Sequence, residues 1–226
     1  MKIRTDFVTN SSSSSYCVSL QVKAAGKKKK IALDFWPEGE DGSGEVYVDL
    51  KTNADDVALQ IKKCANIDEV KKLLLNSINL YEFFGGEIGS KDLSTEDFIS
   101  EVESIDEEDE RYSEVVDTYR KFKAELDKFN TIEDIDSITI SEYYTGWGEF
   151  AREGVEDFLE AILKSMDGDE IDLETALQGK LTDEEIESIA DQLENDSITM
   201  FNANIDTTIQ LSTGCIVKEY SFEDMS

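Results

Sequence analysis

The side chains of this chain that could do chemistry are mostly carboxylates. The chain has 52 Asp and Glu residues, 22 Lys and Arg residues, and no histidine. Without imidazole it cannot build a Ser-His-Asp or Cys-His nucleophilic site, and most zinc, copper and iron sites lose their usual ligand. Two kinds of chemistry remain for carboxylates: hydrolysis by a pair of acids, as in glycoside hydrolases, and binding of hard cations such as Ca²⁺.

Neither kind of chemistry has a specific sequence signal. Asp167, Asp169 and Asp172 resemble part of a calcium loop, but the central glycine is missing and Gln178 stands where a bidentate glutamate is needed. The stretch GGEIGSK at residues 85–91 resembles a phosphate-binding loop, but its last glycine does not directly precede the lysine. The sequence also does not single out one pair of carboxylates for hydrolysis. We therefore predict no catalytic residue, no metal site and no cofactor.

The three cysteines, Cys17, Cys64 and Cys215, are far apart and have no paired spacing. This pattern argues against a disulfide framework and favours a reducing compartment. No apolar stretch reaches the length of a signal-peptide core or a membrane span. We therefore expect a cytoplasmic protein without a membrane partner.

The excess of acid is the feature that sets this composition apart. The formal net charge is -30, distributed as +5 over residues 1–35, -14 over residues 36–130 and -21 over residues 131–226. Such a field repels nucleic acid and anionic lipid, and it accelerates encounters with basic surfaces. We expect a basic protein as partner, in the most specific form a nucleic-acid-binding protein, and no direct contact with nucleic acid.

Two acidic segments and one tryptophan are the candidate partner-binding residues. The first segment is the dense run at residues 106–110, and the second is the polar side of a helix predicted after residue 150. Trp147 lies between glycines at a strand-to-helix junction, where it either closes the core or anchors a partner. The full set is Asp106, Glu107, Glu108, Asp109, Glu110, Trp147, Glu153, Glu156, Asp157 and Glu160.

The opening KIRTDFVTNSSSSSY, residues 2–16, resembles a near-fixed N-terminal opening of uncharacterised bacterial proteins whose remaining sequences differ. The resemblance brings no activity with it. An opening shared by unlike proteins is similar to an address, a leader or a recognition tag, so the chain could be a substrate or cargo recognised through residues 2–16. The alternative for its serine run, residues 10–15, is a solvated turn.

Hydrophobic periodicity predicts an α+β protein. Residues that alternate between apolar and polar predict strands near both ends of the chain, and three-and-four spacing predicts five to six helices between them. We expect one mainly antiparallel sheet with helices packed mostly on one face. No Pro/Gly/Ser linker divides the chain, so residues 1–226 are interpreted as a single domain. Its parts are N-terminal strands at 1–50, a helical segment at 51–130, a strand-to-helix unit at 136–166, and a helix with a three-stranded meander at 182–226.

Several local signals give these elements boundaries. Residues 31–35 and 46–50 are predicted to form a hairpin, and Val70, Leu73, Leu74 and Ile78 a helical stripe. Asn53, Ser94 and Thr182 are predicted helix caps, and residues 112–129 are predicted to form a long helix. A later helix should bury the face formed by Ile186, Ile189, Ala190 and Leu193. Turns are predicted at Gly146 and Gly148 and, within the meander, at residues 202–204 and 212–214.

Together these observations favour a non-catalytic, acidic interaction protein that docks on a basic partner surface. Its most specific form is a nucleic-acid-mimic inhibitor, a likeness that rests on charge and size. The alternatives are the substrate or cargo described above and a carboxylate-dependent hydrolase with two facing, buried acids. The sequence leaves open the partner, the strand order and the oligomeric state.

Overall fold

The computed structural model describes residues 14–26, 30–34, 49–79, 93–104, 110–147, 151–163, 172–195 and 200–224. Its seven strands are β1 (Ser14–Ala24), β2 (Lys30–Asp34), β3 (Asp49–Leu50), β4 (Ile78–Asn79), β5 (Ile135–Trp147), β6 (Met200–Gln210) and β7 (Cys215–Asp224). Within the same ranges lie seven α-helices, α1 (Ala54–Ile61), α2 (Ile67–Asn76), α3 (Thr95–Ser104), α4 (Glu110–Leu126), α5 (Ala151–Leu163), α6 (Leu173–Leu177) and α7 (Asp183–Asn195).

Five strands form one sheet in the order β2-β1-β5-β6-β7, and each neighbouring pair is antiparallel. This confirms the predicted α+β fold with a mainly antiparallel sheet. The central strand, β5, comes from the middle of the chain, so the sheet is not built from the two ends alone. β3 and β4 form a separate two-stranded ladder.

The strands have one apolar, buried face and one polar face, on which Ser19, Ser137 and Ser141 are also buried. In β6 the residues at odd positions, from Phe201 to Ile209, are buried, and the residues between them are partly exposed. Strict alternation of this kind is what a sheet with one covered face requires. The described helices pack on the buried face, as predicted.

The buried residues form two hydrophobic clusters beneath this one sheet. The first lies under α1–α4 and includes Leu20, Ile138 and Ile140 from the strands. The second lies under α5–α7 and includes Tyr144, Phe201 and Ile205. Since β5 and β6 contribute to both clusters, the long central strands join the two halves of the core.

Local signals located the helices of the first half well. The Asn53 side chain accepts a hydrogen bond from the Asp56 amide at 2.8 Å and caps α1. Ser94 caps α3 by accepting from the Asp97 amide at 3.1 Å. In α4 the buried side chains are Val116, Tyr119, Phe122 and Leu126, the stripe predicted for the long helix.

The predicted hairpin of residues 31–35 and 46–50 is not what the described residues form. Asp49 and Leu50 pair with Asn79 and Ile78 rather than with β2. Ile78 therefore belongs to a strand and not to the helical stripe, because α2 ends at Asn76 and Ser77 caps it. Apolar spacing alone assigned Ile78 to the helix, because a single apolar residue directly after a helix fits both the helical period of about 3.6 residues and the strand period of about 2.

The predicted three-stranded meander is a two-stranded hairpin. Asn202 and Asn204 occur inside β6, where they pair with β5 and β7, so no turn separates them. Asparagine favours turns, but here its side chains lie on the polar face of a strand whose other face is buried. The second predicted turn, at residues 212–214, is confirmed, with Gly214 at φ 63°.

Other predictions fall outside the described residues. These are the strand before residue 10, the serine run up to Ser13, the stretches 35–48 and 80–92, the acidic run 105–109, and the helix continuation to Met166. The predicted turn is wrong for Ser14 and Ser15, which begin β1 and pair with Gly146 and Thr145.

Candidate functional site: an acidic helical surface

Helix α5 carries the predicted carboxylates on the side that faces away from the core. Val155, Phe158 and Leu159 are fully buried against the sheet. One to two residues away on the helix, Asp157 and Glu160 are exposed and Glu156 is partly exposed. Residues spaced by three or four share one face of a helix, so the three carboxylates line one solvent-facing side.

Two glycines let α5 approach the sheet closely. A Cβ atom on Gly146 would lie 2.6 Å from Phe201 Cε1 and 2.7 Å from Ala151 Cα, and one on Gly154 would lie 2.9 Å from Phe201 Cζ. Gly146 was predicted to bend a turn, but it pairs with Phe201 inside β5. Its role is steric: the missing side chain makes room for the Phe201 ring and the first turn of α5.

Aromatic rings fix this helix in place. The Phe201 and Phe222 rings are stacked, with centroids 5.5 Å apart and an interplanar angle of 13°. The ring centroid of Phe158 in α5 lies 6.1 Å from that of Phe222 and 5.6 Å from that of Tyr144. Offset ring contacts of this kind stabilise a core by more than the burial of their apolar area alone. They therefore hold α5, and the carboxylates on it, in a fixed position on the sheet.

Helices α6 and α7 begin with acidic caps. The Asp172 carboxylate accepts a hydrogen bond from the Thr175 hydroxyl at 2.6 Å, which is the main cause of the lowered pKa of Asp172. At α7, Glu185 accepts from the Thr182 amide at 2.7 Å and Thr182 Oγ1 accepts from the Glu185 amide at 3.3 Å. This is the capping box predicted from the sequence.

Glu185 also connects α7 to strand β7. Its second carboxylate oxygen, Oε1, accepts a hydrogen bond from the Phe222 amide at 3.0 Å. Burial raises the pKa of Glu185, but the hydrogen bonds from Phe222 and Thr182 lower it by more, so the pKa lies below its ordinary value. Glu185 is therefore held as a carboxylate and ties the helix to the sheet.

The helices α5, α6 and α7 together form one strongly negative surface. Residues 151–163 and 172–195 present ten described carboxylates and two described basic side chains, Arg152 and Lys180. None of the ten is buried. We call them the acidic surface: Glu156, Asp157, Glu160, Asp172, Glu174, Asp183, Glu184, Glu185, Glu187 and Asp191.

The described side chains of α1–α4 and their connections have a nearly balanced charge. Among described side chains, residues 51–79, 93–104 and 116–130 carry 11 acidic and 9 basic groups. Several of these groups pair with one another, as Lys123 does with Glu96 and Arg120 with Glu103. Among the described helical side chains, the excess of negative charge is therefore concentrated on α5–α7, where opposite charges are few.

The structure divides the predicted partner-binding residues. Glu156, Asp157 and Glu160 join the acidic surface, and Glu153 lies in the same helix. Glu110 begins α4, which packs at the β2 edge of the sheet, while α7 packs at the opposite, β7 edge. Two other placements complete the set: Trp147 ends β5, pairing with Met200, and Asp106, Glu107, Glu108 and Asp109 lie outside the described residues.

The carboxylates that α6 and α7 contribute were not among the partner-binding residues predicted from the sequence. The net charge of -21 over residues 131–226 pointed to this half of the chain, but it did not show which helices share a surface. The structure shows that α5 and α7 are in contact. The predicted apolar face of α7 is correct for Ile186 and Ile189 but wrong for Ala190, which is exposed because it faces the acidic side.

A second set of polar residues separates the two hydrophobic clusters. We call it the polar seam: Glu142, Thr207, Lys218 and Asp55. Glu142 is 8% exposed, and the fully buried Thr207 Oγ1 has no hydrogen-bond partner. Lys218, directly opposite Thr207 in the sheet, pairs with Asp55 of α1 at 2.8 Å.

The polar seam contains a single buried carboxylate. Among the described side chains Glu142 is the one Asp or Glu that is buried. Two-acid hydrolysis requires a facing pair about 5–10 Å apart, and the described residues contain no such buried pair. Nor do they contain a group of three or more Cys, Asp and Glu that could hold a metal ion, and Asp172 serves as a helix cap.

Comparison with protein-family models, with curated proteins and with solved structures found no match. Across the described part of the chain, no helix is both long enough and apolar enough to cross a membrane.

Proposed function

We propose that this chain is a non-catalytic interaction protein that docks its acidic surface on a basic protein. The observation that supports this is the ten-to-two excess of carboxylates over basic side chains on α5–α7. Phe158 of α5 packs against the rings of Tyr144 and Phe222, and a capping box fixes the start of α7. A charged surface that is ordered before binding loses little conformational entropy on docking, so more of the electrostatic attraction contributes to affinity.

The class of partner that we propose is a nucleic-acid-binding protein. Glu156, Asp157 and Glu160 place three carboxylates within about 6 Å of helix axis, of which Glu156 is paired with Arg152 at 2.9 Å. This leaves about one net charge per 3 Å of α5, and one strand of B-DNA carries a charge every ~3.4 Å of its axis. The two charge densities are of the same order. A groove that binds a phosphate backbone would therefore also attract α5, and the protein would act as a competitive inhibitor.

The proposal places the protein in the cytoplasm. Cys64 and Cys215 are free thiols, and free thiols are kept reduced in that compartment.

Two triple variants test the role of the acidic surface. The first combines Glu156→Gln, Asp157→Asn and Glu160→Gln. The matched control, Asp68→Asn, Glu101→Gln and Glu103→Gln, removes the same charge from exposed helical positions of the first half. Basic proteins captured from a cell extract at low salt are identified, purified and titrated with each variant. We expect about tenfold weaker binding for the α5 variant and less than twofold for the control, since each exposed charge contributes under ~1 kcal/mol.

Two outcomes would contradict the proposal. Equal loss in both triple variants would show that net charge alone drives association. Binding that does not weaken between low and moderate salt would show that electrostatic attraction is not the main term. A displacement assay with labelled duplex DNA bound to the captured partner then tests the competitive mechanism.

A further inference from the structure

Strand β7 is an edge of the five-stranded sheet. Within the described residues it pairs with β6 alone, while β5 and β6 each have two neighbours. Its side chains on the polar face are exposed, among them Glu219, Ser221, Glu223 and Val217, which is 48% exposed. A long edge strand has backbone groups that can accept another strand.

The Glu185 contact shows which backbone groups of β7 point outward. The Phe222 amide donates to Glu185 and not to β6. In an antiparallel strand the amide and carbonyl of one residue point to the same side, and successive residues alternate. Ile216, Lys218 and Tyr220 therefore direct their backbone groups away from β6, toward the open edge.

Glu185 also limits the length of the open edge. Because its carboxylate already accepts the Phe222 N–H at 3.0 Å, that donor is occupied. The outward groups of Ile216, Lys218 and Tyr220 remain, because β6, the described strand that pairs with β7, lies on its other side. The open edge thus covers about the first seven residues of β7, enough for a short strand.

The charges beside this edge favour a basic occupant. Glu219 lies in the middle of the open stretch and Glu223 four residues further, about 14 Å along the strand. On the other side of the sheet, α7 presents the acidic residues at its first turn, Asp183 and Glu184 among them, next to β7. The nearby Lys218 is paired with Asp55, so its charge is offset.

We infer that the β7 edge binds an extended Lys/Arg-rich segment of the partner as a sixth strand. The segment's backbone pairs with Ile216, Lys218 and Tyr220, and its alternate side chains lie on the polar face. There a basic residue stands opposite Glu219, and an apolar residue stands opposite Val217. Main-chain hydrogen bonds supply affinity and the alternating side chains supply specificity, as in other cases of strand addition. This inference rests on the proposed function, which supplies the basic partner.

A second copy of the chain is the competing occupant. Two β7 edges could pair about a two-fold axis, since such an interface is self-complementary. Each copy carries a formal charge of -30, and two Glu219 side chains would then stand near each other. Charge therefore favours the basic segment over the second copy.

The test uses a fluorescein-labelled nine-residue peptide in which threonine occupies every second position and lysine and valine alternate at the positions between, so that lysine and valine share one face of the strand. A second peptide carries N-methyl groups on three consecutive central residues, which blocks hydrogen bonding along both of its edges and leaves every charge unchanged. A third is N-methylated only at its two terminal residues. Fluorescence anisotropy at low salt is expected to show at least tenfold weaker binding for the centrally methylated peptide and less than twofold for the third.

Protein variants test the same edge from the other side. Lys218→Pro removes an outward N–H that β6 does not use, and prolines are tolerated at such edge positions. Lys218→Ala is the matched control, since it removes the same ion pair with Asp55 but keeps the amide. We expect the proline variant to bind the unmodified peptide at least fivefold more weakly than the alanine variant, with circular dichroism spectra that coincide.

The outcomes separate this inference from the proposed function. If the centrally methylated and unmodified peptides bind equally, or the proline and alanine variants do, strand addition is wrong while charge-driven docking can still stand. Absence of any peptide binding at low salt also overturns strand addition. Sedimentation that shows a concentration-dependent dimer, lost in Lys218→Pro, would assign the edge to a second copy instead.

Discussion

The Phe222 amide donates a hydrogen bond to Glu185 Oε1 at 3.0 Å, joining the first turn of α7 to the edge strand β7. The same carboxylate closes the α7 capping box through its other oxygen, which accepts from the Thr182 amide and hydroxyl. One side chain therefore satisfies donors in two elements, and Glu185 and Phe222 are 37 residues apart in sequence. Charge-assisted hydrogen bonds of this kind are stronger than neutral ones.

Replacing Glu185 by Gln should destabilise the fold by about 1–2 kcal/mol at pH 7, because it removes a charged acceptor shared by two elements. The effect should depend on pH. The folded pKa of Glu185 lies below its ordinary value of 4.5, so its contribution is complete above pH 4.5 and is lost as the pH falls through the folded pKa. Urea unfolding of both proteins at several pH values between 7 and 3 measures the difference.

Glu187→Gln is the matched control for this prediction, since Glu187 is exposed on the same helix. It should change the free energy of unfolding by less than about 0.5 kcal/mol. A Glu185→Gln effect that stays constant from pH 7 to pH 3 would contradict the role assigned to the carboxylate.

Gly154→Ala should destabilise the protein although alanine favours helices by about 1 kcal/mol over glycine. The new Cβ would meet Phe201 Cζ at 2.9 Å and the Thr145 carbonyl oxygen at 3.1 Å. Phe201 is fully buried and stacked on Phe222, so it cannot move away, and overpacking costs about 1–3 kcal/mol. Thermal and urea unfolding measure the change.

The Phe201→Leu background supplies the control for Gly154→Ala. Without the ring, the same alanine should cost less, since the contacts with Phe201 are gone and the contact with the Thr145 carbonyl oxygen remains. A double-mutant cycle gives the coupling between the two positions. Equal effects of Gly154→Ala in both backgrounds would rule out the ring as the cause.

Thr207→Val and Thr208→Val should change stability in opposite directions. Thr207 Oγ1 is buried without a hydrogen-bond partner, so replacing the hydroxyl by a methyl group should stabilise the fold by about 1 kcal/mol. The neighbouring Thr208 shares a hydrogen bond of 2.9 Å with Thr139, and its loss should cost about 1 kcal/mol. Denaturation midpoints of the two variants measure both changes in stability. A loss of stability in Thr207→Val would show that the Thr207 hydroxyl forms a hydrogen bond.

Iodoacetamide should alkylate Cys215 at least about tenfold faster than Cys64 in the folded protein. Burial and the nearby Glu69 raise the pKa of Cys64, and its thiol donates to the Gln60 carbonyl at 3.5 Å. Cys215 is exposed. Because the thiolate is the reactive form, the exposure of Cys215 and the raised pKa of Cys64 both make Cys215 the faster-reacting thiol. Peptide mass spectrometry after timed quenching gives the two rates, which should converge in urea.

Local signals predicted the elements that local interactions determine. The Asn53 cap, the Thr182–Glu185 capping box and the stripe from Tyr119 to Leu126 each depend on residues within one or two turns of a helix. The turn predicted at residues 202–204 was wrong, although asparagine normally favours turns. Pairing with β5 and β7 outweighed that preference, and the choice of strand neighbours is not encoded locally.

The candidate site was predictable in its charge and not in its geometry. Net charge identified residues 131–226 as the acidic half, but the position of α5 on the sheet depends on the packing of Gly154 on Phe201, two residues far apart in the chain. The Glu185 to Phe222 hydrogen bond is equally non-local. Glu142 and Thr207 could not be recognised as buried, because nothing in the sequence distinguishes them from polar residues on the exposed face.

The sheet order has a consequence for synthesis on the ribosome. β1 lies between β2 and β5, so one of its neighbours follows closely while the other is translated more than a hundred residues later. Until β5 emerges, Val18, Leu20 and Val22 lack the strand that completes their layer, and delayed pairing of this kind exposes apolar surface to other chains. The nascent N-terminal half should therefore depend on holding factors until Trp147 has left the exit tunnel.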